Sequence, residues 1–263
     1  MKTPLILLLT LALVIGCREA PEKDSTPPEL TAPEYAKLGR DKLYVAWEFD
    51  AAREALLKAV EMNPEDALSH ANLAWYWMLE DKREASMRHI ELAKKAAPED
   101  PLWVQWHGWI CYFYDDFECA EKYLKEAIEM QPRQRDAYFT LGRMYYRIGR
   151  EAEGLEYMEQ AARDSTGRPA RAMYLVLTGR EAEAREIIRQ IESAETTSLE
   201  TMVLVPLYNM LGEREKALDW LEANYERRQP LLPWLRYMPI NRPLHDEPRF
   251  QAMVEKIGAP SGK

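Results

Sequence analysis

From residue 34 to about 229, small and apolar residues recur at helical spacing among charged ones, and the pattern restarts at a nearly fixed interval. Small residues stand at Ala52, Ser86, Ala120, Gly154, Ala184 and Ala217, separated by 34, 34, 34, 30 and 33 residues. Further positions repeat around them. Leu73-Ala74, Gly108 and Leu141-Gly142 are followed three residues on by Trp77, Cys111 and Tyr145, and Ala59, Ala93, Ala127 and Ala161 mark a second register. Two apolar stripes per interval predict two helices per interval. Pro64, Pro98 and Pro132 close successive intervals, because proline cannot continue the hydrogen-bond ladder and pushes the preceding residue out of the helical region. The turn inside each pair falls five residues before the small anchor. Gly149, Gly179 and Gly212 occupy it and take a left-handed conformation freely, while Asp81 and Asp115 tolerate that conformation better than most side chains.

The pattern differs at the start of the chain. Lys2 precedes Leu5 to Ile15, a run without charge that as a helix covers about 16 Å, half of the roughly 30 Å hydrocarbon core of a bilayer. A basic residue before a short apolar run predicts a signal peptide over residues 1–16. Residues 18–33 hold Pro21, Pro27, Pro28 and Pro33 among Glu, Lys, Asp, Ser and Thr, and too little apolar surface to pack. Residues 17–33 are therefore expected to be a tether reaching on the order of 50 Å at about 3.1 Å per residue.

The period and its residues resemble the tetratricopeptide repeat (TPR). The resemblance implies an all-α fold, a TPR-like α-solenoid built as a right-handed superhelix of helix pairs, with about six repeats over residues 34–229. The match is fullest in repeats two to four; repeat five is four residues short, and Pro206 should kink or delay the first helix of repeat six, for which Thr197-x-x-Glu200 offers a capping box. Pro243 to Phe250, then Met253 and Ile257-Gly258, are similar to the stretch that closes TPR arrays in bacterial regulators and kinases. Residues 230–263 are accordingly expected to be a C-terminal cap with a capping helix, Pro248 in its first turn and Gly258 at its end. Val14-Ile15-Gly16-Cys17 resembles the lipobox of bacterial lipoproteins. This implies that Cys17 becomes a lipid-bearing (palmitate-type) mature N-terminus, and Arg18 in place of Asp points to the outer membrane, facing the periplasm. More than one acyl chain, at about 0.8 kcal/mol per buried methylene, gives stable anchoring.

Composition and charge narrow the choices. Glu, Lys, Arg, Ala and Leu dominate, with eleven glycines in the chain, which favours helix. The formal charge is −9, and residues 1–16 carry Lys2 as their single charge, which leaves −10 on the remainder. So acidic a body is a poor match for nucleic acid or for anionic lipid surfaces. No G-x-S-x-G, H-E-x-x-H, G-x-x-x-x-G-K-[ST] or C-x-x-C motif is present, and the chain is not expected to be an enzyme. His70, His89, His107 and His245 share no ligand spacing with one another, so no metal site and no cofactor other than the Cys17 lipid is expected. Glu151, Glu153, Glu156 and Glu159 read as a solvated helix face. Cys111 and Cys119 fall on the two helices of repeat three and are open to two readings, a disulfide in an oxidising compartment or, more plainly, two buried thiols.

In TPR folds the first helices of the pairs build the concave side. By resemblance this places Trp75, Met78, Leu79, Gln105, Trp109, Tyr112, Phe113, Phe139, Arg143, Tyr146 and Arg147 toward a groove. The aromatic residues and Met78 would anchor a partner peptide, with Arg143 and Arg147 meeting its acidic groups. If Trp75, Trp109 and Tyr112 each leave about 100 Å² open, they approach the few hundred Å² that marks a binding site. The competing expectation is that a tight superhelix or the N-terminal segment buries them. The function expected is that of a membrane-anchored protein-binding scaffold or adaptor of the bacterial cell envelope, serving outer-membrane assembly, secretion or pilus-type machinery. The alternatives are a self-associating structural subunit (a homo-oligomer) and a non-catalytic regulator of a cell-wall enzyme.

Overall fold

A computed structural model describes residues 30–163, 167–193 and 199–260. The expected signal peptide, Cys17, nearly all of the tether and Thr197 lie outside these residues. Helices form six successive pairs. They are α1 (Ala32–Asp41) with α2 (Phe49–Met62), α3 (Ala67–Leu79) with α4 (Arg83–Ala96), and α5 (Pro101–Phe113) with α6 (Phe117–Met130). Then come α7 (Arg135–Arg147) with α8 (Glu151–Ala161), α9 (Arg168–Leu177) with α10 (Glu181–Ser193), and α11 (Leu204–Met210) with α12 (Arg214–Glu226); α13 (Pro248–Ile257) follows. Each helix packs on its partner and each pair on the next, with no strand among the described residues. This is the all-α solenoid of stacked helix pairs. No helix among the described residues is long and apolar enough to cross a membrane.

The repeated positions explain the stacking. All six small anchors are buried, because they lie where the two helices of a pair approach most closely. A Cβ at Gly154 would stand 2.6 Å from the Tyr146 backbone nitrogen and 2.8 Å from the Gly142 oxygen, so α7 and α8 meet backbone to backbone. Residues five before the anchors adopt positive φ at Trp47, Asp81, Asp115, Gly149, Gly179 and Gly212. Trp47 is the unexpected member, since the spacing points to position 47 but tryptophan has no preference for that conformation. Its indole Nε1–H donates to Tyr44 O at 3.2 Å and its ring lies 5.6 Å from that of Tyr225, contacts that hold the turn. Before the prolines, Asn63, Ala97 and Gln131 all leave the helical region with φ near −140° (−137°, −140° and −139°).

Helix α1 starts at Ala32, inside the stretch expected to be tether, because Thr31 and Glu34 form a capping box and Pro33 suits a first turn. A 3₁₀ turn at Leu199–Val203 precedes α11, whose start is delayed so that Pro206 sits in its first turn.

Residues beyond α12 do more than cover its end. Two 3₁₀ turns, Leu232–Tyr237 and Pro239–Leu244, lie against the first helices of earlier pairs, and α13 then packs on α12. Arg228, with φ 52°, stacks on Trp47 at 4.8 Å and donates to Ala46 O at 3.3 Å. The end of the last pair thereby meets the turn of the first.

Candidate interaction site

The C-terminal 3₁₀ segment decides which of the expected groove residues are available. Trp75 and Tyr112 are 1% exposed and Met78 is fully buried, so the expectation that these three present open surface is corrected. The reason is a cluster of rings: Trp75 meets Trp234 at 5.4 Å, Phe113 at 5.5 Å, Trp106 at 6.1 Å and Trp109 at 6.5 Å, mostly edge to face. Trp234 donates its Nε1–H to Trp75 O at 2.9 Å, and Arg236 donates to Leu79 O at 2.7 Å, a carbonyl at the end of α3 with no partner inside the helix. Leu79 and Gln105 are buried as well. Among the described residues, it is the C-terminal segment that fills the superhelix.

Part of the groove remains as a cavity of about 480 Å³. Trp109 and Phe113 from α5 and Phe139 from α7 face Met202 and Pro206 across it, and Met238 and Ile240 of the C-terminal segment close one side. Arg135, beside Asp136 at 3.8 Å, and Arg143 are its cations, and Arg143 is set among the rings. The Arg143 guanidinium lies 4.4 Å from the Phe139 ring centre and 5.7 Å from that of Tyr112, and Nη2 donates weakly to Thr140 Oγ1 at 3.5 Å. Arg143 Nε is buried without a hydrogen-bond partner, and among the described residues no carboxylate pairs with its side chain. Thr140 is fixed in turn, accepting from Trp109 Nε1 at 3.0 Å and donating to Asp136 O at 2.8 Å. Glu200 at the rim is tied to Arg168 at 2.5 Å. The result is an aromatic pocket with one unpaired cation, suited to an apolar side chain flanked by an acid.

Arg147 and Tyr146 lie outside this cavity. Arg147 pairs with Asp115 at 2.8 Å and covers the Phe117 ring at 5.1 Å, and Asp115 also takes Arg242 from the C-terminal segment. Arg147, expected to meet a partner's acidic groups, thus already has an ion-pair partner within the chain. The turn that carries Asp115 instead holds the C-terminal segment in place.

Two buried histidine clusters add chemistry that the sequence did not reveal. His70 and His89 share a bond between their Nδ1 atoms at 3.1 Å, and His70 Nε2 lies 3.0 Å from Pro64 O. Nε2–H of His70 donates to that carbonyl, so its Nδ1 accepts from His89 Nδ1–H. Burial pushes His89 down to about 4. His107 is 1% exposed, stacks on Tyr123 at 3.7 Å, and is pushed down to about 3 by burial and by Lys94 and Lys122. A nitrogen of its ring and the sulfurs of Cys111 and Cys119 all lie within 4.8 Å of one another. The sulfurs form a disulfide joining α5 to α6, with the Cα atoms 5.7 Å apart. Two buried thiols, the plainer expectation, give way to the bridge. Comparing histidines only with each other hid His107 and Cys111, which stand one helical turn apart.

Residues 115–169 match the sequence model of the tetratricopeptide repeat. The fold is a tetratricopeptide-repeat solenoid. Similar proteins include a TPR repeat-containing protein of Methanocaldococcus jannaschii, 26% identical over 48% of this chain and 22% of its own length. The human protein O-mannosyl-transferase TMTC1 is 32% identical over 39% of this chain and 12% of its own length. The matched parts span less than a quarter of either relative. Among solved structures, PilF of Pseudomonas aeruginosa superposes with a TM-score of 0.53 at 18% identity, covering 86% of this chain and 97% of that one. PilW, described as a widely conserved type IV pilus biogenesis factor, gives 0.54 at 13% identity, covering 74% of this chain and 94% of that one. At such identities the likeness is one of fold. In the TPR solenoid seen here, the side built by the first helices is the one that the C-terminal segment partly fills.

Proposed function

We propose that this chain is a protein-binding scaffold of the bacterial envelope, anchored by lipid on Cys17, that holds a partner through the pocket between α5, α7 and the C-terminal segment. The observation that carries the reading is Arg143, a half-buried cation that no carboxylate pairs with among the described residues, set among Trp109, Phe113 and Phe139 in a part of the groove left open. A TPR solenoid presents helix faces rather than an acid/base constellation, and the pocket holds recognition groups, so the reading is that of an adaptor and not an enzyme. The partner element that fits is a short segment with a large apolar side chain next to Asp or Glu. The polar linker and the lipobox-like Val14-Ile15-Gly16-Cys17 support tethering to the outer membrane, with the body in the periplasm. One of the similar folds is named as a type IV pilus biogenesis factor, which makes pilus-type machinery the first place to seek the partner.

A photo-crosslinking residue placed at Ile240, at the pocket edge, tests this in native membranes against one placed at Glu129, exposed on α6. The expected result is an adduct with a specific envelope protein from position 240 that disappears in Arg143→Ala. Adducts from position 129 alone would move the binding to the outer face and overturn the pocket reading.

A further inference from the structure

The His107, Cys111 and Cys119 cluster plays no part in that binding reading, and its residues have the makings of a ligand set. Cys111 and His107 are buried on α5, while Cys119 is half-buried in the first turn of α6. A helix N-terminus favours a thiolate, and the Cys119 backbone N–H is already held by Asp116 Oδ1 at 3.2 Å, which fixes the position of that turn. On the other side, His107 Nδ1 lies 3.3 Å from Glu91 Oε1 and 3.5 Å from Lys94 Nζ. Glu91 is itself held by the Tyr123 hydroxyl, which donates to it at 3.1 Å. Nδ1 thus faces both the Glu91 carboxylate and the Lys94 ammonium, while Nε2 is buried with no hydrogen-bond partner and is the nitrogen left for a ligand. A histidine oriented by a carboxylate through one nitrogen, with the other free, is the arrangement that metal-binding histidines show.

We propose that Cys111, Cys119 and His107 form a three-coordinate site for copper(I) in the reduced protein, and that the Cys111–Cys119 disulfide is its closed form. Metal bonds of about 2.0 to 2.3 Å set ligand atoms about 3.5 to 4 Å apart, a separation that side-chain rotation reaches from atoms now within 4.8 Å. Two thiolates and an imidazole are soft and intermediate donors, which select copper(I) or zinc. Three donors, with no fourth in the cluster among the described residues, favour copper(I), because zinc is almost always four-coordinate in closed protein sites. Two thiolates and a singly charged ion leave one negative charge, and the Lys94 ammonium beside His107 offsets it. Opening the site takes a dithiol reductant: two electrons and two protons pass to the disulfide, the reductant leaves as its own disulfide, and copper(I) then displaces the two thiol protons.

The test uses full-length Cys17→Ser protein in detergent, in which Cys111 and Cys119 are the remaining cysteines of the three. After reduction it should withdraw one equivalent of copper(I) from the coloured bicinchoninate complex, and the oxidised protein should withdraw none. Cys119→Ser should abolish this, and His107→Gln should weaken it at least about tenfold, with Glu91→Gln, an exposed position, also losing about tenfold. Failure of the reduced protein to compete would overturn the proposal, as would affinity unchanged from the parent protein in His107→Gln and Glu91→Gln. Capture of zinc(II) but not copper(I) would overturn the choice of ion. If Cys119→Ser does not fold by circular dichroism, the Glu91→Gln arm decides alone.

Discussion

Trp234 and Trp75 are 159 residues apart in sequence, and the indole Nε1–H of the first donates to the backbone oxygen of the second at 2.9 Å. Their rings meet edge to face at 5.4 Å, and both are buried. This one contact turns an open TPR groove into a filled one. It separates residues that pack, such as Trp75 and Tyr112, from those left to line a pocket, such as Trp109 and Phe139.

Trp234→Phe should keep most of the packing and lose the hydrogen bond, destabilising the fold by about 1 kcal/mol. Trp234→Ala removes the ring as well and should cost about 3 to 5 kcal/mol, with Trp75 becoming accessible to quenching. Urea denaturation followed by tryptophan fluorescence checks both. Equal stability of the two variants would show that the ring contributes little to holding the segment.

Gly154→Ala places a Cβ against backbone rather than against a movable side chain. The expected loss is about 1 to 3 kcal/mol from the forced separation of α7 and α8. Ala52, the same position in the first pair, already carries a Cβ, so Ala52→Gly should cost only about 1 kcal/mol. Thermal melts of the two variants give the comparison.

Acid should weaken the fold. His89 and His107 are held at about 4 and about 3, below the unfolded value near 6.5, so between these values the unfolded chain binds more protons than the folded one. Their neutral-state stabilisation is full above about pH 6.5 and is lost as pH falls through about 4 and then 3. Melting temperature should drop by several degrees from pH 7.5 to 4.5, and less steeply in His89→Gln. A pH-independent melting temperature over that range would contradict the burial of these rings.

Lipidation is checked by growing cells with radiolabelled palmitate. Wild-type protein should carry label and sediment with membranes, and Cys17→Ser should lose the label. Label that persists in the variant would assign the anchor elsewhere.

The solenoid was legible because its instructions are local. Ala52 to Ala217 mark helix crossings within a pair, the position five residues earlier sets each left-handed turn, and Pro64, Pro98 and Pro132 end the second helices. Trp47 was missed as the turn of the first pair, although it stands at the same spacing, because tryptophan gives no sign of a left-handed conformation. The pocket was half legible: Trp109, Phe113, Phe139 and Arg143 followed from repeat register, while Met238 and Ile240 did not. The 3₁₀ turns over Leu232–Leu244 have no 3.6-residue stripe to read.

By itself, the sequence determined the repeat, the helix pairs and their turns, since each depends on residues within about 34 positions of one another. Only the tertiary structure decided where the C-terminal segment goes and which groove residues it covers. That outcome rests on curvature summed over six pairs, which brings Trp234 to Trp75 and Arg228 to Trp47, and no local pattern encodes such a sum.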